Sequence, residues 1–171
     1  MAVAPRGYSG IASTQITRVG VGYVGTPEAG EALSAAVGLA RRTGAAIRVL
    51  SVVEPPTVTA SLAFGVGYGE LEETAREGLT SGLLRVVDVG GPVEISDEVV
   101  DGYADDELAR LSGEVDLLVC GSPGHGPIGS VMLGSVSTGV LRKARCPILI
   151  VPRGARDGFA ALRAPTVATA S

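Results

Sequence analysis

Tryptophan is absent, and aromatic residues are scarce, with two Phe and four Tyr among 171 residues. A core here has to be built from Val, Leu, Ile and Ala, and an apolar share of 46% suffices for one. Histidine occurs once, at His125, so any Ser–His–Asp arrangement has a single possible base. Lysine also occurs once, at Lys143. The formal charge of −4 argues against nucleic acid as a main partner, because neutralising phosphates takes a basic surface. The two cysteines, Cys120 and Cys146, form no C-x-x-C pair, so neither a zinc site nor a disulfide framework is expected. Both lie in apolar runs and read as inert core thiols. No run approaches the roughly 18 apolar residues of a membrane span. The start is interrupted by Pro5, Arg6, Gly7 and Ser9, so no secretory signal is expected and the cytoplasm is the expected location.

What is present is an alternation of short apolar runs and helical stripes. Ile16–Val24, Ala45–Val53, Pro92–Val100, Val115–Cys120 and Pro147–Val151 read as buried strands. Thr26 stands as an N-cap before Pro27 and Glu28, apolar residues follow at helical spacing, and Gly44 closes that helix. Further helices are expected over Leu71–Val87, from Asp105, and over Val131–Leu141, with Thr57–Gly69 as an irregular, flexible excursion. Strands without alternation, separated by helices, imply a parallel sheet covered on both faces. The expected fold is thus an α/β three-layer sandwich around a five-stranded parallel sheet. One domain is expected over residues 16–153, between a flexible arm at 1–15 and a flexible tail at 154–171. Ligands of such sheets bind beyond the carboxyl ends of the strands, where strand order reverses.

The 25 glycines are most informative after the fourth strand. Gly121 follows that strand, Gly124 comes three positions later, and Gly134–Ser135 opens the next helix. Glycine lets phosphate oxygens approach backbone N–H groups with no Cβ in the way. The following helix start adds free N–H groups and hydroxyls from Ser135, Ser137 and Thr138. The combination reads as an anion pocket.

The G-x2-G-x9-G-S spacing, followed by Val136-Ser137, an apolar helix and CPILIVP, resembles the universal stress protein family. YVGTPEAGEAL after the first strand and VVEPP after the second are similar to that family too. The resemblance covers about residues 16–153. It implies strand order 3-2-1-4-5, a homodimer paired through the last strand, a stress-response role and binding of ATP or a related adenine nucleotide (ADP or AMP). It places Gly121, Pro123, Gly124 and His125 on the phosphate and ribose side, Gly134, Ser135, Val136 and Ser137 on the phosphates, and Val52 at the adenine edge. Tyr23 and Val24 end the first strand beside the nucleoside. Nucleotide-binding members carry Asp where this chain has Val24, and Val accepts no hydrogen bond. The alternative is therefore a family member that binds no nucleotide and acts as a dimeric interaction module.

Of two G-x-G-x-x-G matches, Gly20-Gly22-Gly25 would need its glycines in a turn where Tyr23-Val24 fit strand better, and Gly124-Gly126-Gly129 follows the fourth strand but opens no helix at Gly129, so no dinucleotide site is expected. There is no G-K-[ST], which excludes a P-loop. His125 reads as a loop residue, Asp116 as a turn partner and Asp105–Glu107 as a solvated helix start. No catalytic residue and no protein metal cluster is expected. Any ATP hydrolysis would be slow, and Mg²⁺ or Mn²⁺ would enter on the nucleotide's phosphates.

Overall fold

A computed structural model of the chain describes residues 1–4, 15–56, 67–87, 92–122, 133–152 and 154. Among the described residues ten elements follow one another: β1 (Ala2–Val3), β2 (Arg18–Gly22), α1 (Pro27–Thr43), β3 (Ala46–Val53), α2 (Tyr68–Val87), β4 (Ile95–Asp101), α3 (Ala104–Leu111), β5 (Leu117–Gly121), α4 (Ser135–Lys143) and β6 (Ile148–Val151). The sheet order is β1-β6-β5-β2-β3-β4. The pairs β2–β3, β2–β5, β3–β4 and β5–β6 are parallel. Written for the five expected strands, this is the order 3-2-1-4-5.

The sheet has one strand more than expected. Ala2–Val3, expected within a flexible arm, lies antiparallel on β6, with Ala2 opposite Leu149 and Val3 opposite Ile148. Tyr68 and Gly69, expected in the irregular excursion, are the first residues of α2. Residues 57–66, and the expected tail beyond Gly154, lie outside the described residues.

α1 begins and ends as its sequence dictates. The Thr26 hydroxyl accepts from the Ala29 N–H at 3.3 Å, Pro27 needs no donor there, and Gly44 turns left-handed at φ 74° to return its N–H to Ala40. Its inner stripe is mostly alanine (Ala29, Ala32, Ala36 and Ala40) around fully buried Leu33, which lets the helix lie close on the sheet. α1 and α2 cover one sheet face over Val19, Val21, Ile47 and Val49. α3 and α4 cover the other over Leu118, Ile148 and Ile150, through Leu108, Leu111 and Val140. Each such buried aliphatic side chain contributes about 1.5–3 kcal/mol of transfer free energy.

Polar ties sit at the periphery. Asp116 Oδ2 accepts from the Thr17 N–H (2.9 Å), the Thr17 hydroxyl (2.8 Å) and the Arg18 N–H (2.9 Å), fastening the amino ends of β2 and β5. Asp116 is thus a turn partner, at the opposite end of the sheet from the strands' carboxyl ends. Lys143 Nζ donates to Asp105 and Asp106 at 2.7 Å each and clamps α4 to α3. That ammonium holds the Asp105 carboxyl below its usual range.

Candidate functional site

The parallel strands run in sequence outward from β2 in one direction and from β5 in the other, so the order reverses between them. A crevice of about 420 Å³ opens there, beyond their carboxyl ends. Its sheet side is made by Gly22–Val24 at the end of β2, Leu50 and Val52 of β3, and Cys120–Ser122 at the end of β5. Three helices present their first turns: α1 with Thr26, Glu28 and Ala29, α3 with Ala104, and α4 with Ser135–Ser137. Leu108 and Val140 supply apolar floor.

Every sequence-selected site residue that is described falls in this crevice: Tyr23, Val24, Val52, Gly121, Gly134, Ser135, Val136 and Ser137. Pro123, Gly124 and His125 lie outside the described residues. Tyr23 also has a packing role. It is buried in the α1–α2 layer, and its ring occupies the space a Cβ on Gly82 would take. Val24 is 64% exposed at the crevice mouth.

The sequence alone did not reveal a further set: Glu28 and Ala29, Leu50, Ala104, Leu108 and Cys120. No motif marks them, because the crossovers bring them in from four elements. Gly121 also has a steric role that spacing does not show. A Cβ there would lie 2.8 Å from the Glu28 carbonyl oxygen and 2.9 Å from its carbon, so glycine is what lets β5 end directly against the α1 backbone. Gly20 and Gly22, the core of the first dinucleotide match, sit inside β2 rather than in a turn. Cβ atoms on them would press on Leu111, Leu118 and Val115, and on Leu108, at 3.0–3.2 Å.

The three helix starts differ in charge. α1 carries Glu28 in its first turn. α3 carries Asp105, Asp106 and Glu107, and its Ala104 N–H already donates to Glu54 Oε1 at 3.1 Å. α4 has no acid in its first turn and no side-chain cap. Its first internal bond runs from the Thr138 N–H to the Gly134 carbonyl (2.9 Å), leaving the N–H groups before it without a helical partner. Ser137 lies in that turn, is only 8% exposed, and lines the crevice. Among the described residues, α4 alone of the three has no first-turn acid to offset the positive end of its dipole.

Cys120 is enclosed, and burial pushes its thiol up to about 12, so it stays a neutral wall. Burial likewise takes Cys146 to about 11. Among the described residues no group of three or more His, Cys, Asp and Glu could hold a metal ion. Among them, too, no helix is long and apolar enough to cross a membrane.

Comparison with known proteins agrees with this architecture. A universal stress protein of Mycobacterium tuberculosis is 28% identical over 163 residues, covering 84% of this chain and 51% of that protein. The chain thus spans about half the length of the mycobacterial relatives it matches. A putative universal stress protein of Staphylococcus haemolyticus is 26% identical over 130 residues, covering 74% of this chain and 79% of that one. In fold, the chain is similar to UspA of Lactobacillus plantarum, with a TM-score of 0.66, 20% identity, and 81% and 99% of the two chains covered. It is also similar to a universal stress protein crystallised in complex with cAMP, with a TM-score of 0.53, 24% identity, and 81% and 98% covered. The family profile described as the universal stress protein family matches residues 15–152, and the chain belongs to that family.

Proposed function

We propose that the crevice binds ATP or a related adenine nucleotide such as ADP or AMP, and that occupancy serves a regulatory, stress-response role in the cytoplasm. The carrying observation is the start of α4: of the three helix starts facing the crevice, only this one has no carboxylate in its first turn. Gly134, Ser135, Val136 and Ser137 would hold the phosphates through their N–H and hydroxyl groups. Val52 would meet the adenine edge, and Gly121 would let the ribose side approach the backbone. Pro123, Gly124 and His125 complete the proposed set from sequence. The cAMP bound by a protein of this fold supports the same ligand class. Mg²⁺ or Mn²⁺ would ride on the phosphates. Hydrolysis would be slow at most. Pairing of two copies along β6 belongs to the same reading, as does the cytoplasm, whose reducing conditions suit two free thiols.

Ser135→Asp tests the proposal while sparing the fold. An acid at the first helical position favours the helix by about 0.3–1 kcal/mol. The same carboxylate opposes a phosphate. Calorimetric titration with ATP should show saturable binding to the natural chain and at least tenfold weaker binding to the variant. No heat from the natural chain up to millimolar ATP overturns the reading. Val24 favours the second reading, a family member that binds no nucleotide and works as a dimeric interaction module, because it puts an exposed apolar side chain at the mouth.

A further inference from the structure

The parallel part of the sheet ends at β6 on one side, and that edge is already taken by β1. The Met1 nitrogen donates to the Ile150 carbonyl and the Ile150 N–H donates to the Met1 carbonyl, both at 2.7 Å. Two residues on, Val3 faces Ile148, the next hydrogen-bonded pair of an antiparallel ladder. Ala2 faces Leu149 between them, as a non-bonded pair.

Without this cover, β6 would be a hazard. Its four residues, Ile148–Val151, are all apolar, with no charge among them to deter another strand. Pro147 and Pro152 bracket it and confine any ladder to this stretch. The cover itself is slight. β1 has two residues, Ala2 and Met1 are exposed, and Val3 is only half-buried. On its other side β6 is held by four register pairs to β5 and does not leave. Direction matters as well. β1 runs antiparallel to β6, and a second β6 brought up by a two-fold axis also runs antiparallel. One set of backbone donors and acceptors therefore suits either occupant.

We infer that β1 is a displaceable stand-in for a partner strand: the β6 edge holds either residues 1–3 of its own chain or the β6 edge of a second copy, so undocking β1 exposes the dimer interface. The inference rests on the homodimer within the proposed function and is independent of nucleotide binding.

Light scattering over a concentration series tests it on three full-length proteins: the natural chain, Val3→Pro, and Ala2→Cys/Leu149→Cys. Proline removes the Val3 N–H from its bonded pair and should free the edge. The cysteine pair occupies the non-bonded position, where Cα atoms about 4.5 Å apart allow a disulfide that locks β1 down. Two copies must each release their own β1, so Val3→Pro should lower the dimer dissociation constant at least tenfold. The oxidised double variant should stay at 17.2 kDa throughout and return to natural behaviour on reduction. Three identical mass curves, all dimeric, would leave a homodimer elsewhere on the surface and overturn the role of β1. Three monomers up to millimolar protein would overturn the homodimer reading and this inference together. ATP titration of Val3→Pro should match the natural chain, which keeps the two questions apart. Should Val3→Pro fail to fold, the locked variant alone decides, since oxidation must remove whatever dimer the reduced form makes.

Discussion

Gly121→Ala should be among the most damaging single-methyl additions in this chain. The new Cβ would sit 2.8 Å from the Glu28 carbonyl oxygen, 2.9 Å from its carbon and 3.2 Å from the Ala29 nitrogen. All three are backbone atoms of the first turn of α1, and none can swing aside. Relief needs the strand end or the helix to move by about half an ångström to reach ordinary contact. α1 resists, because Ala29, Ala32 and Leu33 are packed on the sheet. Overpacking of this kind costs about 1–3 kcal/mol. At this chain length, that converts to a fall in Tm of about 2–12 °C. Gly30→Ala is the control. Gly30 lies in the same helix turn with nothing within 4 Å of its would-be Cβ, so alanine should stabilise by about 0.5–1 kcal/mol. Urea unfolding of both variants at unchanged slope gives the comparison. A loss below about 0.3 kcal/mol for Gly121→Ala refutes the close-approach argument. Equal losses at both positions would instead indicate general sensitivity of the α1 start.

Further expectations can be checked separately. Val24→Asp puts a hydrogen-bond acceptor at the crevice mouth and should tighten ATP binding by about 1.5–3 kcal/mol, roughly ten- to hundredfold; calorimetry showing unchanged affinity removes Val24 from the account. Asp116→Asn should cost about 1–2 kcal/mol at pH 7 by removing charge from an acceptor of three hydrogen bonds. Burial pushes the Asp116 carboxyl up, but donors from Thr17 and Arg18 outweigh it and hold it below the usual range. Because the folded value is depressed, this stability is complete above the unfolded value of about 3.9 and is lost as pH falls through the folded one. The gap between the natural chain and Asp116→Asn should therefore be constant at neutral pH and shrink progressively as pH falls below about 4, and a gap that does not shrink on acidification contradicts the assignment. Both thiols should ignore Ellman's reagent at pH 8 in the folded protein and react in guanidinium, since burial lifts Cys120 to about 12 and Cys146 to about 11.

The elements most legible in the sequence were those whose signals are local. Thr26, Pro27 and Gly44 mark both ends of α1 within a few residues, and the aliphatic runs at Ala46–Val53 and Ile148–Val151 had no alternative to buried strands. The start of α4 was legible at Gly134–Ser135, where a loop residue meets hydroxyls, whereas the helical stripe read from Val131 set it too early, since Leu133 and Gly134 precede the helix. What escaped depends on partners distant in the chain. Two residues at Ala2–Val3 have no periodicity, and their partner is near the other end of the sequence. The α2 start was misplaced because Tyr68 and Gly69 are poor helix formers. Gly82 makes room for Tyr23, and Gly121 for Glu28, through contacts that exist only once layers stack.

Gly20 and Gly22 work by subtraction. With no methyl group on that face of β2, Leu108 and Leu111 sink toward the sheet, and α3 settles lower than it could over any other residue. Leu108 and Gly22 both border the crevice, so its depth there is set by a side chain that does not exist. Exchanging Gly22 for alanine would press Leu108 upward and shallow the hollow from its floor.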